Sequence, residues 1–205
     1  IIPVNNAELT RINLISGIII AIGLFFVWLK IGRKLRAPLA ILRPQTSWMS
    51  REIYAVGLLF LSIGLGFVYP SPILYAAAAA GAAAFLYCQG RILHSGKGIP
   101  SWRVSQMPSM LIATGLLEGT GLFVLLSFTW GTEISTSSPI LPLAILLILL
   151  NSFLWRRYMR NLKTWGIGPI DRNILNRITP KLYITGYILP LILFGAIFLN
   201  FTSLS

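Results

Sequence analysis

The 205-residue sequence contains one histidine, one cysteine and five acidic residues, and each scarcity removes a class of chemistry. A haem held between helices by two imidazoles needs one more than His94 supplies. An iron–sulfur cluster usually takes four Cys, and a zinc site three or four Cys, His or carboxylate ligands, so Cys88 alone builds neither. No disulfide can form within the chain. An electron-transfer role would therefore use a partner's metal centres or a diffusible carrier. Charge is scarce too: 11% of residues are charged, against about 25% in ordinary soluble domains. With 56% hydrophobic residues and a mean hydropathy of +0.78, the composition excludes a soluble domain and points to lipid. The chain opens on Ile1 rather than Met, so both ends are read as open to further residues.

What is present is organised in long apolar runs. A bilayer core about 30 Å thick needs about 20 apolar residues in a helix, with about 17 as the working minimum. Six runs meet that length, at residues 12–29, 53–69, 72–88, 107–129, 139–155 and 182–201. They predict an all-α, polytopic helical bundle forming a single integral membrane domain. Pro70 and Pro72 mark a tight turn between the second and third runs.

The net charge of +12 would suggest a nucleic-acid partner in a soluble protein, but here the basic residues lie beside the membrane, without a soluble platform. Nucleic acid is not an expected partner. Lys30, Arg33, Lys34, Arg36, Arg43 and Arg51 fall in the first loop, Arg91, Lys97 and Arg103 in the third, and Arg156, Arg157, Arg160, Lys163, Arg172, Arg177 and Lys181 in the fifth. These are 16 of the 17 basic residues, all on one side. The positive-inside bias assigns that side to the cytoplasm. Topology alone accounts for most of these charges; the loops also form a platform on which a partner can dock, with Arg33, Arg36, Arg43, Arg91, Trp102 and Arg103 as candidate contacts.

Two acids stand out. Glu118 lies near the middle of the fourth run, where an ionised side chain costs on the order of 3 kcal/mol, so it is a functional candidate or a neutral carboxylic acid bonding across a helix interface. Asn151, in the fifth run, reads as interhelical glue. Glu52 follows Ser50-Arg51 where the first basic loop becomes the second run. Spacing alone leaves it equally a charge partner for a helix N-terminus within reach of Arg51, or a proton donor or acceptor where a quinone head group meets water. The small-residue stretch 76–84, and Gly115 with Gly119, read as surfaces for close helix packing.

The stretch Leu29-Lys30-Ile31-Gly32-Arg33-Lys34-Leu35-Arg36, followed by Ser47-Trp48-Met49-Ser50-Arg51-Glu52-Ile53, resembles the signature between two helices of the membrane anchor subunits of DMSO-reductase-type molybdoenzymes. Tyr87 to Arg91, then Gly98-Ile99-Pro100-Ser101-Trp102, is similar to that family's next loop, and the two blocks run in order from about residue 24 to residue 125. The resemblance implies a haem-free bundle of eight helices. Six here would mean that terminal helices are absent from this chain or that the type is shorter. It implies a quinone (menaquinone or ubiquinone) bound near the last cluster of a ferredoxin-like iron–sulfur subunit, which serves a molybdopterin catalytic subunit.

Under the resemblance, Glu52 matches an acid of the quinone pocket, while Lys30 stands where better-known members carry a His. Lys can donate to a quinone carbonyl but relays protons poorly near neutral pH unless burial lowers its pKa. Trp48, Arg51, Arg91 and Trp102 would line the pocket or touch the iron–sulfur subunit, and His94 would assist with protons. The better-known anchors face outward. Here the cluster-facing loops are basic, which implies cytoplasmic partners; cytoplasm-facing relatives act on sulfite, sulfur species or acyl-CoA. The expected function is thus a non-catalytic, quinone-exchanging subunit of a membrane oxidoreductase. The alternatives are a transporter or proton-translocating subunit using Glu118, although the halves show no convincing inverted repeat, and an anchor that binds no quinone.

Overall fold

Every long apolar run in the sequence becomes a helix, because in hydrocarbon only a helix satisfies a lone segment's backbone polar groups. The computed structural model describes residues 6–30, 41, 43–129, 139–162 and 168–203. Within them lie α1 (Asn6–Lys30), α2 (Trp48–Val68), α3 (Pro72–Ser95), a short 3-10 turn (Pro100–Arg103), α4 (Met107–Thr129), α5 (Ile140–Leu162), α6 (Pro169–Leu182) and α7 (Leu189–Ser203), the last two joined by a π-helical turn at Tyr183–Ile188. Among the described residues, six helices are long and apolar enough to cross a membrane, α6, the π turn and α7 supplying the sixth. The chain is an all-α, polytopic integral membrane protein. Large apolar side chains such as Phe26, Leu61, Ile73, Leu125, Leu146 and Ile192 are exposed, far more apolar surface than water tolerates and suited to lipid.

The chain divides into two compact units, residues 2–92 and 93–205. In the first, α2 and α3 form a hairpin whose register is set by glycine. A Cβ on Gly81 would lie 2.9 Å from the backbone nitrogen of Leu59, and one on Gly66 would touch Leu74 and Tyr75. The absence of a side chain at Gly81 therefore lets the two backbones approach closely. Leu59, Ile63 and Ala78 form the buried cluster, with Leu14, Ile20 and Ala82 packed against it. Gly17 brings α1 to Ile63, and a 2.9 Å hydrogen bond joins the hydroxyls of Thr10 and Tyr75.

In the second unit, α4 and α5 are tied by Asn151, whose Nδ2 donates to the Ala113 carbonyl of α4 at 2.9 Å and to Leu147 O at 3.0 Å. Its Oδ1 accepts from Thr114 Oγ1 at 2.9 Å. A second cluster of Val104, Tyr158 and Leu162 is packed by Met107, Met110, Trp155, Met159 and Leu175, and the Tyr158 hydroxyl donates to Ser101 O at 3.2 Å, pinning the Pro100–Arg103 turn.

The sixth span begins well before its apolar run. Arg172, Arg177 and Lys181, assigned from sequence to a loop, lie on α6. Gly168 precedes Pro169, whose fixed φ suits a first helical position. Pro190 has no N–H for the Gly186 carbonyl, four residues back, and its ring needs room there. The π turn supplies that room just before Pro190, closing with the Leu189 N–H on Ile184 O.

Candidate functional site

Within the first unit, polar and aromatic side chains cluster where α2 starts and α3 passes it. Helix α2 begins at Trp48, five residues before its hydrophobic run, because Ser47 caps it: Ser50 N–H donates to Ser47 Oγ at 3.4 Å. Trp48, Arg51 and Glu52 then occupy positions i, i+3 and i+4 and share one helix face. The early start changes the reading of Glu52. It stands one turn inside α2, beyond the first turn, so it is not an N-terminal charge partner.

The antiparallel register set by Gly81 and Gly66 carries α3 past that face. Gln89 Nε2 donates to Glu52 Oε1, and Glu52, Gln89 and Arg91 are all partly buried. Arg51 turns to the loop instead of its neighbour, its Nε donating to Pro44 O and its Nη2 to Gln45 O, both at 2.7 Å. The Trp48 ring lies under two guanidiniums, with Arg51 Cζ 4.2 Å and Arg91 Cζ 4.7 Å from its centroid, and meets Tyr87 edge-on at 5.7 Å. Two cations on one indole are held against mutual repulsion by the ring's negative face and by the loop carbonyls. The Nε of Arg91 is buried without a hydrogen-bond partner among the described residues. Cys88 is buried and free.

Four of the sequence candidates thus come together: Trp48, Arg51, Glu52 and Arg91. Gln89 and Tyr87 join them. Both lie in the Tyr87 to Arg91 block but were not candidate site residues, although the short Pro70 turn carried the signal, since a hairpin sets residues equally far from its turn beside each other. Arg43 belongs to the exposed segment before α2, where its carbonyl accepts from Thr46 and Ser47. Arg33, Arg36 and the Lys30 side chain lie outside the described residues.

The remaining candidates belong to the second unit. His94 stands in the last turn of α3 with Nδ1 buried and unpartnered among the described residues. Trp102 covers Gly96, where a Cβ would lie 3.3 Å from its ring, and Arg103 is exposed. Glu118 borders a cavity of about 330 Å³ between α4, α5 and the π turn, with Thr114, Asn151, Trp155, Gly186 and Tyr187 also on its walls. Asn151 is buried and engaged with Thr114, Ala113 and Leu147, which matches its reading as interhelical glue. Among the described residues, no three His, Cys, Asp or Glu side chains converge as a metal site.

Comparison with protein-family models, curated proteins and solved structures finds no match to this chain.

Proposed function

We propose that the chain is the quinone-reactive membrane anchor of an oxidoreductase complex, docked through its basic loops to an iron–sulfur subunit that serves a molybdopterin catalytic subunit on the cytoplasmic side. The observation that carries this reading is the Glu52–Gln89 pair beside Trp48, Tyr87, Arg51 and Arg91. A quinone ring is recognised by flat apolar surfaces and a few placed polar groups. Tyr87, exposed beside the Trp48 ring, offers such a surface, and the guanidiniums of Arg51 and Arg91 sit at the same end of the hairpin. Quinone reduction takes two electrons and two protons. An iron–sulfur cluster of the partner would exchange the electrons one at a time, and Glu52 would hold or pass one of the two protons at its carboxyl, the other coming from or going to water, while Gln89 keeps that carboxyl in place. Sulfite, a sulfur species or an acyl-CoA would be the substrate of the catalytic subunit.

The test is gentle purification from the native membrane, with identification of co-purifying subunits, metal analysis and quinol reduction of any clusters. The expected result is iron plus molybdenum or tungsten in accompanying subunits, with clusters that respond to quinol. Glu52→Gln is expected to lower quinol-coupled turnover by about 10²-fold, the scale of one positioned acid–base group, at unchanged complex yield. Unchanged turnover at normal yield would remove Glu52 from the mechanism.

A second reading, a transporter or proton-translocating subunit working through Glu118, is supported by the cavity that Glu118 borders beside a π turn, since π turns are frequent at functional positions. A chain that emerges alone and metal-free, after controls for detergent stripping, favours it.

A further inference from the structure

In the second unit, a groove of about 640 Å³ runs between the C-terminal part of α5 and the α6–π segment. Arg156 and Arg160 border it one helical turn apart, so their side chains rise from the same face of α5. Phe153, Trp155 and Met159 make its apolar surface, and Tyr183 stands on the other side. We propose that this groove binds the phosphate of an anionic glycerophospholipid, with the start of an acyl chain lying along Phe153.

Position is the first argument. Arg156 directly follows the apolar stretch of α5, which puts the groove at the depth of the lipid head groups, and basic pockets between helices at that depth suit anionic heads. Charge complementarity is the second. Two guanidiniums line the groove and no carboxylate does among the described residues, and the planar fork of Arg matches phosphate oxygens two at a time.

The third argument is preorganisation. Tyr183 donates its hydroxyl to Ser152 O at 3.5 Å and accepts from Arg156 Nε at 3.2 Å, while the Arg156 guanidinium lies 5.7 Å from the Tyr183 ring centre. That chain of bonds occupies Nε and, among the described residues, leaves the outer nitrogens of Arg156 for a ligand. Arg160 makes no hydrogen bond or ion pair among the described residues. A zwitterionic head would bring an ammonium against these two cations, so the groove discriminates by charge as well as by phosphate. This site is separate from the Glu52 cluster in unit and chemistry, and it stands whether or not the quinone reading does.

The experiment is saturation of the purified full chain in neutral detergent with phosphatidylglycerol, phosphatidylcholine or inorganic phosphate, bound ligand being counted by native mass spectrometry. Phosphatidylglycerol is expected to bind saturably and in preference to phosphatidylcholine, with inorganic phosphate failing to displace it. Arg160→Gln should weaken phosphatidylglycerol about fivefold and the Arg156→Gln, Arg160→Gln double variant roughly 30-fold, from the usual contribution of one basic residue near an anionic head. Because Arg160 holds nothing within the described chain, its substitution reads lipid contact without loss of fold. The double substitution Arg172→Gln, Arg177→Gln removes equal charge from exposed positions of α6 outside the groove and should leave the preference intact. Equal binding of the two lipids, equal loss in the α6 control, or saturation by inorganic phosphate alone would each overturn the proposal.

Discussion

Gly81→Ala tests the hairpin on which the Glu52 cluster depends. The added methyl would sit 2.9 Å from Leu59 N, 3.0 Å from its Cα and 3.1 Å from its Cβ, where ordinary contact begins at 3.4 Å, so α2 and α3 must part by about 0.5 Å. Two of those atoms are backbone and cannot swing aside as a side-chain tip would. Overpacking of this kind costs about 1–3 kcal/mol. Alanine also favours a helix over glycine by about 1 kcal/mol, which would mask part of the loss, so the proper reference is Gly64→Ala, with nothing within 4 Å of the new methyl. The reference carries the same propensity gain without the clash. Reversible unfolding in mixed micelles, followed by helical circular dichroism, should find Gly81→Ala less stable than Gly64→Ala by about 1–3 kcal/mol. Glu52 lies seven residues before Leu59, about 10 Å along α2, so the same separation should loosen its bond to Gln89 and lower any quinol-coupled turnover. Equal stability of the two variants would refute the register argument.

Asn151→Leu removes three hydrogen bonds, including the one to Ala113 O. At about 0.6 kcal/mol for each of the two bonds that cross to α4, a loss near 1 kcal/mol is expected in the same unfolding assay, and an unchanged midpoint would end its reading as the tie between α4 and α5. Tyr158→Phe keeps the ring but deletes the bond to Ser101 O, so amides of the Pro100–Arg103 turn should exchange faster at a stability cost of about 1 kcal/mol. Ser47→Ala removes the α2 cap; its 3.4 Å bond is long, which puts the expected cost toward the low end of about 0.5–2 kcal/mol. Exchange of the Ser50 amide is the direct readout.

Hydropathy alone located the six spans, because crossing hydrocarbon is a requirement on the summed apolarity of about 20 consecutive residues, and such a sum is written in order along the chain. The ends were less legible. Helix α2 starts early through Ser47, and α6 carries Arg172, Arg177 and Lys181 as helix, since polar residues outside the hydrocarbon can continue a helix without adding to an apolar window. Of the candidate site, the sequence marked Glu52, Trp48, Arg51 and Arg91 as residue types worth watching, and Asn151 as interhelical glue. It did not show that Gln89 is the partner of Glu52, that Arg51 is spent on the carbonyls of Pro44 and Gln45, or that Trp48 lies under two guanidiniums. Those facts depend on the rotation of each helix about its axis and on its slide along its neighbour. Both are set by where glycine lets backbones touch, as at Gly81 against Leu59, and so exist only in the packed structure.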